Sequence, residues 1–302
     1  MRGTRGTHSR RNIVLAFMLF TLGGRWRACA VALLFSIVGE GAAAWSTLDD
    51  WALVVATQIK SKAPLPVLSN YGAGLNLADA YAVQRRVAEQ LGDREKIAGF
   101  RVSLTRPRGQ VEFNVREPVS GVIFTSGLLR GPTTLKLHDF KQLMVAPGLG
   151  FVLKSAITTP LTDLSQVETQ IGAVVPVIEF SDYRFDASGR MRGEDFVANN
   201  AAFARLLVGR PFESIDPTAI NGVVTEMARG DAVVDRGRAI NVMGNQYTAL
   251  YWLINQLLKQ GWQLPASTLL VTGALSDPLR GESGHYSVRF GAGSTLAFEI
   301  ER

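Results

Sequence analysis

The 302-residue sequence predicts an α+β fold: a mixed, curled β-sheet with flanking helices. Three observations predict it. Helical periodicity is strongest at the front of the chain, and the strand-like segments that follow show no regular βαβ alternation. Thirty glycines and twelve prolines require many tight turns, which suits a β-rich chain. A hydrophobic fraction of 47% with 19% charged residues supplies a sizeable core.

Residues 1–44 read as a signal peptide or N-terminal anchor. Arg25 and Arg27 precede the apolar run Ala28–Val38, Gly39-Glu40-Gly41 breaks it, and Ala42-Ala43-Ala44 offers a small-residue cleavage site. The run is about half the roughly 20 residues a membrane span needs. The expected location is therefore periplasmic or secreted, with cleavage near Ala44 and no stable membrane insertion afterwards. The alternative is anchoring by the N-terminal segment, Ile13–Val38. A start at Met18 instead of Met1 would give the leader ordinary proportions.

The remainder, 45–302, reads as one domain, with a helical part over 45–95 and the sheet core over 96–302. Ser46–Lys60 suits a helix capped by Ser46 or Thr47, and Leu75–Leu91 a second one capped by Asn76. A strand is expected over Ile97–Thr105; Gly121–Phe124 is a short apolar piece ahead of Gly127, and Leu143–Ala156 a further apolar segment, interrupted by Pro147, Gly148 and Gly150. Asp163–Ile171 reads as helix. Ile220–Met227 and Ala232–Val234 read as a hairpin across Arg229-Gly230-Asp231. Tyr247–Gln260 is an amphipathic helix, Thr268–Thr272 a buried strand, and Tyr286–Phe290 with Ser294–Ile300 a terminal hairpin.

Charge and rare residues exclude several classes. The net charge of +6 belongs to the leader, which holds six arginines and one glutamate. The body keeps 26 basic against 25 acidic residues, so no basic footprint for nucleic acid is present. Its sole cysteine, Cys29, lies in the leader, so the body has neither disulfide nor thiol nucleophile. No His or Cys spacing suits zinc.

The informative stretch is Val174–Phe185. Its apolar start reads as a buried strand, and Glu179 follows, an ionised carboxylate that needs a partner. That partner is Arg184, a run of backbone N–H groups, or a metal; the alignment drawn below adds Arg101.

Five stretches, in order, resemble the 2-keto-4-pentenoate hydratase family of the fumarylacetoacetate hydrolase superfamily. Leu77-Ala78-Asp79-Ala80-Tyr81-Ala82-Val83-Gln84 is similar to its N-terminal helix signature. Gly99-Phe100-Arg101-Val102-Ser103-Leu104-Thr105 is similar to its Gly-x-Lys-x-Gly-Leu-Thr strand, and Glu117–Phe124 to its Pro-Asp-x-Gly-x-Leu-Phe piece. Val175-Pro176-Val177-Ile178-Glu179 with Ser181–Arg184 resembles its metal-bearing strand, and Val271-Thr272-Gly273-Ala274-Leu275 its late strand. The resemblance implies a β-roll like the fumarylacetoacetate hydrolase C-terminal domain, and assembly into homo-oligomers. It also implies a chemistry: Mg²⁺ or Mn²⁺, held by three carboxylates, grips the 2-oxo acid end of the substrate while water adds to a double bond.

The site positions depart from that pattern. Ala146 and Gly148 replace two metal carboxylates, leaving Glu179 as the surviving ligand. Arg101 stands for the family lysine, Val119 for an aspartate, Asn199 and Ala202 for the Asp and Ser of an Asp-Asn-Ala-Ser run, and Asn245-Gln246 for a His-Pro pair. Arg101, Glu179 and Asp182 are the catalytic candidates; Arg101, Arg184, Asn200 and Thr272 are the ligand-binding candidates. Arg101 and Arg184 together would make the pocket cationic, with Arg106 and Arg108 at its rim. The expectation is an exported hydratase homologue with lost or altered catalysis, with no metal or a weak Mg²⁺/Mn²⁺ site, that binds a small 2-oxo or other carboxylic acid. The alternative is an active hydro-lyase that uses Mg²⁺ or Mn²⁺ on a 2-hydroxy-dienoate or 2-oxo-alkenoate.

Overall fold

A computed structural model describes residues 47–71, 74–92, 96–186, 191–291 and 293–302. The expected leader, with Cys29 and the cleavage site, lies outside the described residues, as does most of the expected turn at 186–189.

Both front helices form where their caps dictate. Thr47 accepts a hydrogen bond from the Asp50 N–H and opens α1 (Leu48–Ser61), with Asp49 and Asp50 in its first turn. Asn76 and Asp79 form a capping box that opens α2 (Leu77–Leu91). The apolar faces of these helices pack against each other.

The principal strands are β1 (Ile97–Ser103), β2 (Val119–Phe124), β5 (Leu143–Leu153), β6 (Ile171–Asp182), β7 (Phe203–Val208) and β10 (Leu269–Ala274). Short strands β3 (Leu128–Leu129) and β11 (Leu279–Arg280) complete an eight-stranded sheet. Its order is β2-β1-β10-β5-β6-β7-β3, with β11 beside β5. Pairing is mixed: β1/β10 and β3/β7 are parallel, the other pairs antiparallel. A second, five-stranded sheet joins β4 (Thr134–Lys136), β13 (Ser294–Glu301), β12 (Gly284–Phe290), β8 (Val224–Arg229) and β9 (Ala232–Arg238), in that order.

Three elements differ from expectation. β5 runs unbroken through Pro147, Gly148 and Gly150, with Pro147 opposite Ile178. Proline lacks an N–H for the ladder, and here it lies beside a register shift in the β5–β10 pairing, where that loss is tolerated. Residues before Val224 are not strand but the short helix α6 (Pro217–Asn221), started by the Asp216 cap and Pro217. The expected helix before β6 shrinks to α4 (Ser165–Gln170). Sequence reasoning missed α3 (Pro107–Glu112), α5 (Gly193–Ala198) and β7, whose apolar runs are too short to stand out.

Alternation along the strands separates two cores. Val174, Ile178 and Phe180 of β6 join the main core, where α7 (Gln246–Lys259) buries Leu250, Leu253 and Leu257. Val175 and Val177 face the inner side of the curl with Ile123, Leu206, Val208, Leu269 and Val271. Gly99 permits the close approach of β1 to β10, because a Cβ there would lie 1.9 Å from the Leu269 carbonyl oxygen. Among the described residues no helix is long and apolar enough to cross a membrane.

Candidate functional site

Glu179 follows Val175 and Val177 on the inner face of β6, at 4% exposure. Arg101 comes from β1, two strands beyond β5. Along a flat sheet β1 and β6 would be about 14 Å apart. Curl shortens that path, and the intervening β5 offers only Ala146 and Gly148 near Glu179. Arg101 Nε therefore reaches 2.7 Å from Glu179 Oε2.

A strained turn holds the far edge of the guanidinium. Asn200, Ala201 and Ala202 adopt φ of 54°, 49° and 56°, a left-handed run costing about 1–2 kcal/mol per residue for L-amino acids. Asn200 pins the turn to β2, accepting from the Val122 N–H at 2.6 Å and donating to the Val122 carbonyl at 2.9 Å. The Ala201 carbonyl accepts from Arg101 Nη1 at 3.0 Å.

Burial pushes the Glu179 carboxyl above its ordinary value of 4.5; the Arg101 charge and its contact oppose the rise without cancelling it. The Nε–Oε2 approach is an ion pair rather than an aligned hydrogen bond, and neither Glu179 oxygen has a hydrogen-bond partner within the protein. Glu179 thus keeps acceptor capacity at the base of the pocket.

A cavity of about 400 Å³ lies over the pair. Ser103, Ser181 and Tyr183 line its wall, and Met144, Phe113 and Phe196 bring apolar surface. Burial raises the Tyr183 hydroxyl above 10.0; Arg101 opposes the rise, and Glu112 and Glu179 add to it. At the mouth, Arg106 pairs with Asp277 at 2.8 Å and donates to the Ser276 carbonyl at 2.6 Å.

The pocket is not cationic as expected. Arg101, Arg106 and Arg108 line it against Glu112, Glu179 and Asp277, a formal balance. Arg184 does not line it, because alternation turns residues 182 and 184 away from the face of Glu179, Ser181 and Tyr183. Arg184 instead approaches Asp182 at 4.0 Å, and burial lowers its pKa. Asp182 accepts the Lys141 and Gln142 N–H groups at 3.0 Å each, anchoring the start of β5.

The other two candidates also point elsewhere. Asn200 spends its amide on Val122. Thr272 faces α7, donating to Gln246, whose Nε2 donates to the Ala239 carbonyl at 2.6 Å. Of the residues singled out from sequence, the structure brings Arg101, Arg106, Arg108, Glu179 and Ala146 into one pocket, with Gly148 adjoining Glu179. Ser103, Ser181 and Tyr183 were missed, although two-residue spacing from Arg101 and Glu179 is the signal that finds them.

The donors beside Glu179 do not fit a divalent cation held by three carboxylates. Ala146 lies directly across the ladder from Glu179. A Cβ on Gly148 would already lie 3.3 Å from Glu179 Oε1 and 3.1 Å from Val177, and Arg101 abuts the other oxygen. Among the described residues no group of three or more His, Cys, Asp or Glu side chains is placed to hold a metal.

No protein-family model matches the chain. Among curated proteins it is 24% identical over 228 residues to a 4-oxalocrotonate decarboxylase of Pseudomonas putida, covering 74% of this chain and 85% of that protein. It is 28% identical over 224 residues to a 2-keto-4-pentenoate hydratase of Paraburkholderia xenovorans (strain LB400), covering 72% and 81%. Among solved structures it resembles the 4-oxalocrotonate decarboxylase from Pseudomonas putida G7, complexed with magnesium and adipate, at TM-score 0.78 and 21% identity over 84% of this chain and 97% of that one. Fumarylpyruvate hydrolase from Pseudomonas aeruginosa, in complex with Mn²⁺ and pyruvate, gives TM-score 0.53 at 13% identity over 69% and 89%. The fold is that of these solved structures, and 2-keto-4-pentenoate hydratases, the family its motifs resemble, are among the relatives.

Proposed function

We propose, for a chain whose relatives are 2-keto-4-pentenoate hydratases and 4-oxalocrotonate decarboxylases, that its pocket holds a small 2-oxo or other carboxylic acid on Arg101, and that hydration chemistry is lost or altered. The observation that carries the proposal is the buried Arg101–Glu179 pair beside Ala146 and Gly148. A guanidinium supplies a fixed positive charge and several donors for a carboxylate, and Arg101 brings these to the cavity base. The apolar walls at Phe113, Met144 and Phe196 suit a short carbon chain.

The relatives favour a second reading, an active hydro-lyase using Mg²⁺ or Mn²⁺. Elemental analysis of the full-length protein, with 2-hydroxypenta-2,4-dienoate turnover measured with and without Mg²⁺, separates the two. The acid-binding reading expects sub-stoichiometric metal and no Mg²⁺-dependent turnover. Stoichiometric metal with Mg²⁺-dependent turnover would overturn it. The basic and apolar composition of residues 1–44 supports export as part of the proposal. N-terminal sequencing from the producing cell tests it: a mature end near Trp45 is expected, and an intact Met1 counts against it.

A further inference from the structure

We infer that the groove between β13 and the exit of β7 is a docking site for the C-terminal end of an extended peptide, which adds as a strand to β13 and places its terminal carboxylate between Arg130 and Arg210. This site is independent of the acid-binding reading, because the groove and the Arg101 pocket share no lining residue.

One edge of β13 is only half covered. β13 pairs with β12 from Ser294 to Ile300 without a register shift, but β4 lies on its other side only at Glu299–Glu301. The Glu299 N–H donates to the Thr133 carbonyl at 2.8 Å. Backbone groups alternate between the two sides of a strand. Thr295 and Ala297 therefore direct their N–H and C=O the same way as Glu299, where no strand among the described residues lies beside them. A groove of about 1430 Å³ runs along this edge, larger than the roughly 300–1,000 Å³ of a small-molecule pocket. Open edge groups of this kind are what strand addition pairs with.

Side chains define the peptide. Phe212, Val223 and Leu296 line the groove and are only partly buried, so apolar residues at alternate positions of an added strand gain cover there. Gly209 lets the β7 exit close on β13, since a Cβ there would lie 2.8 Å from Leu296 Cδ2. β3 and β7 run parallel with Leu129 opposite Leu207, and Arg130 and Arg210 follow at the same end of that pair. Both line the groove, both are exposed, and neither has a hydrogen bond or ion pair among the described residues. Glu299 contacts His285 at 3.4 Å, which leaves Glu213 as the unpaired acidic lining residue against two arginines. The Thr133–Glu299 bond closes the groove close in sequence to Arg130, so a chain running along β13 stops there. A C-terminus meets that limit, and a pair of guanidinium groups suits its carboxylate.

Fluorescence anisotropy of the full-length protein with a labelled hexapeptide, Lys-Val-Ser-Val-Thr-Val, tests the inference. The free-acid peptide is expected to bind, and its C-terminal amide to bind about 10-fold or more weakly, the scale of a charge-assisted hydrogen bond. Arg130→Ala/Arg210→Ala is expected to bring the free acid to the amide's affinity, with circular dichroism verifying the fold. N-methylation of the fourth or of the fifth peptide amide should abolish binding in one case and spare it in the other, because alternate N–H groups face β13. Absence of binding by the free acid at about 1 mM overturns the inference. So do equal affinities of acid and amide, unchanged affinity in the double variant, and indifference to both N-methylations. Sedimentation addresses the rival occupant: a dimer of the chain that excludes the peptide, and that Ala297→Pro dissociates, overturns the peptide reading in favour of a second copy.

Discussion

Arg101 Nε lies 2.7 Å from Glu179 Oε2, with side-chain exposures of 8% and 5%, although β10 and β5 separate their strands. At this depth each charge depends on the other. Glu179→Ala is expected to destabilise the protein by about 3–5 kcal/mol in urea unfolding, because it strands a buried guanidinium. Arg101→Met should also destabilise. The double variant Arg101→Met/Glu179→Leu should recover much of the loss, since it buries no charge; additive losses would show that the pair is not coupled.

Ligand dependence separates the two arginines expected from sequence. Arg101→Lys should remove most of the thermal stabilisation conferred by 2-oxopentanoate, because an ammonium cannot reproduce the guanidinium's geometry. Arg184→Ala should keep that ligand-induced shift, since Arg184 lies outside the pocket. A thermal-shift assay on the full-length protein distinguishes these outcomes, and loss of the shift in Arg184→Ala alone would invert the assignment.

Thr272 is expected to act on stability and not on binding. Thr272→Val leaves the Gln246 carbonyl oxygen without its hydroxyl donor inside the interface with α7. The expected cost is about 1–3 kcal/mol in chemical unfolding. Unchanged 2-oxopentanoate affinity should accompany it; a fall in affinity at constant fold would return Thr272 to the site.

Alkaline stability should carry the signature of Tyr247. Burial first, then Glu168 and Asp216, push its hydroxyl up to about 12 from 10.0, while it donates to the Ile215 carbonyl at 3.1 Å. The folded state holds this proton more tightly than the unfolded chain. Stability should therefore fall as pH rises from 10 to about 12. Tyr247→Phe should flatten the decline over that window in unfolding curves, and an unchanged slope would assign the decline to other groups.

Much of the fold was legible because local chemistry dictates it. Thr47 and Asn76 cap their helices by side-chain bonds to nearby N–H groups, and those signals lie within three residues. The β-branched run before Glu179 became β6, and the resemblance over residues 75–300 named the right relatives. β5 was misread at Pro147 because only a partner strand shows that the ladder shifts register there. β7 was missed because Leu206-Leu207-Val208 gains its strand identity from pairing with β6.

From the sequence alone came the β-roll, the burial of Glu179 and the absence of carboxylates at Ala146 and Gly148. Tertiary structure decided which arginine answers Glu179. Arg184 is five residues away and Arg101 seventy-eight, yet alternation turns Arg184 aside while the curl carries Arg101 across. It also decided that the pocket is balanced and not cationic, because α3 brings Glu112 to the wall beside Arg108 and Asp277 arrives from a segment distant in sequence. Sequence reports charge and spacing along one dimension. Which charges meet depends on strand parity, strand order and curl, which are set by the packing of the whole sheet.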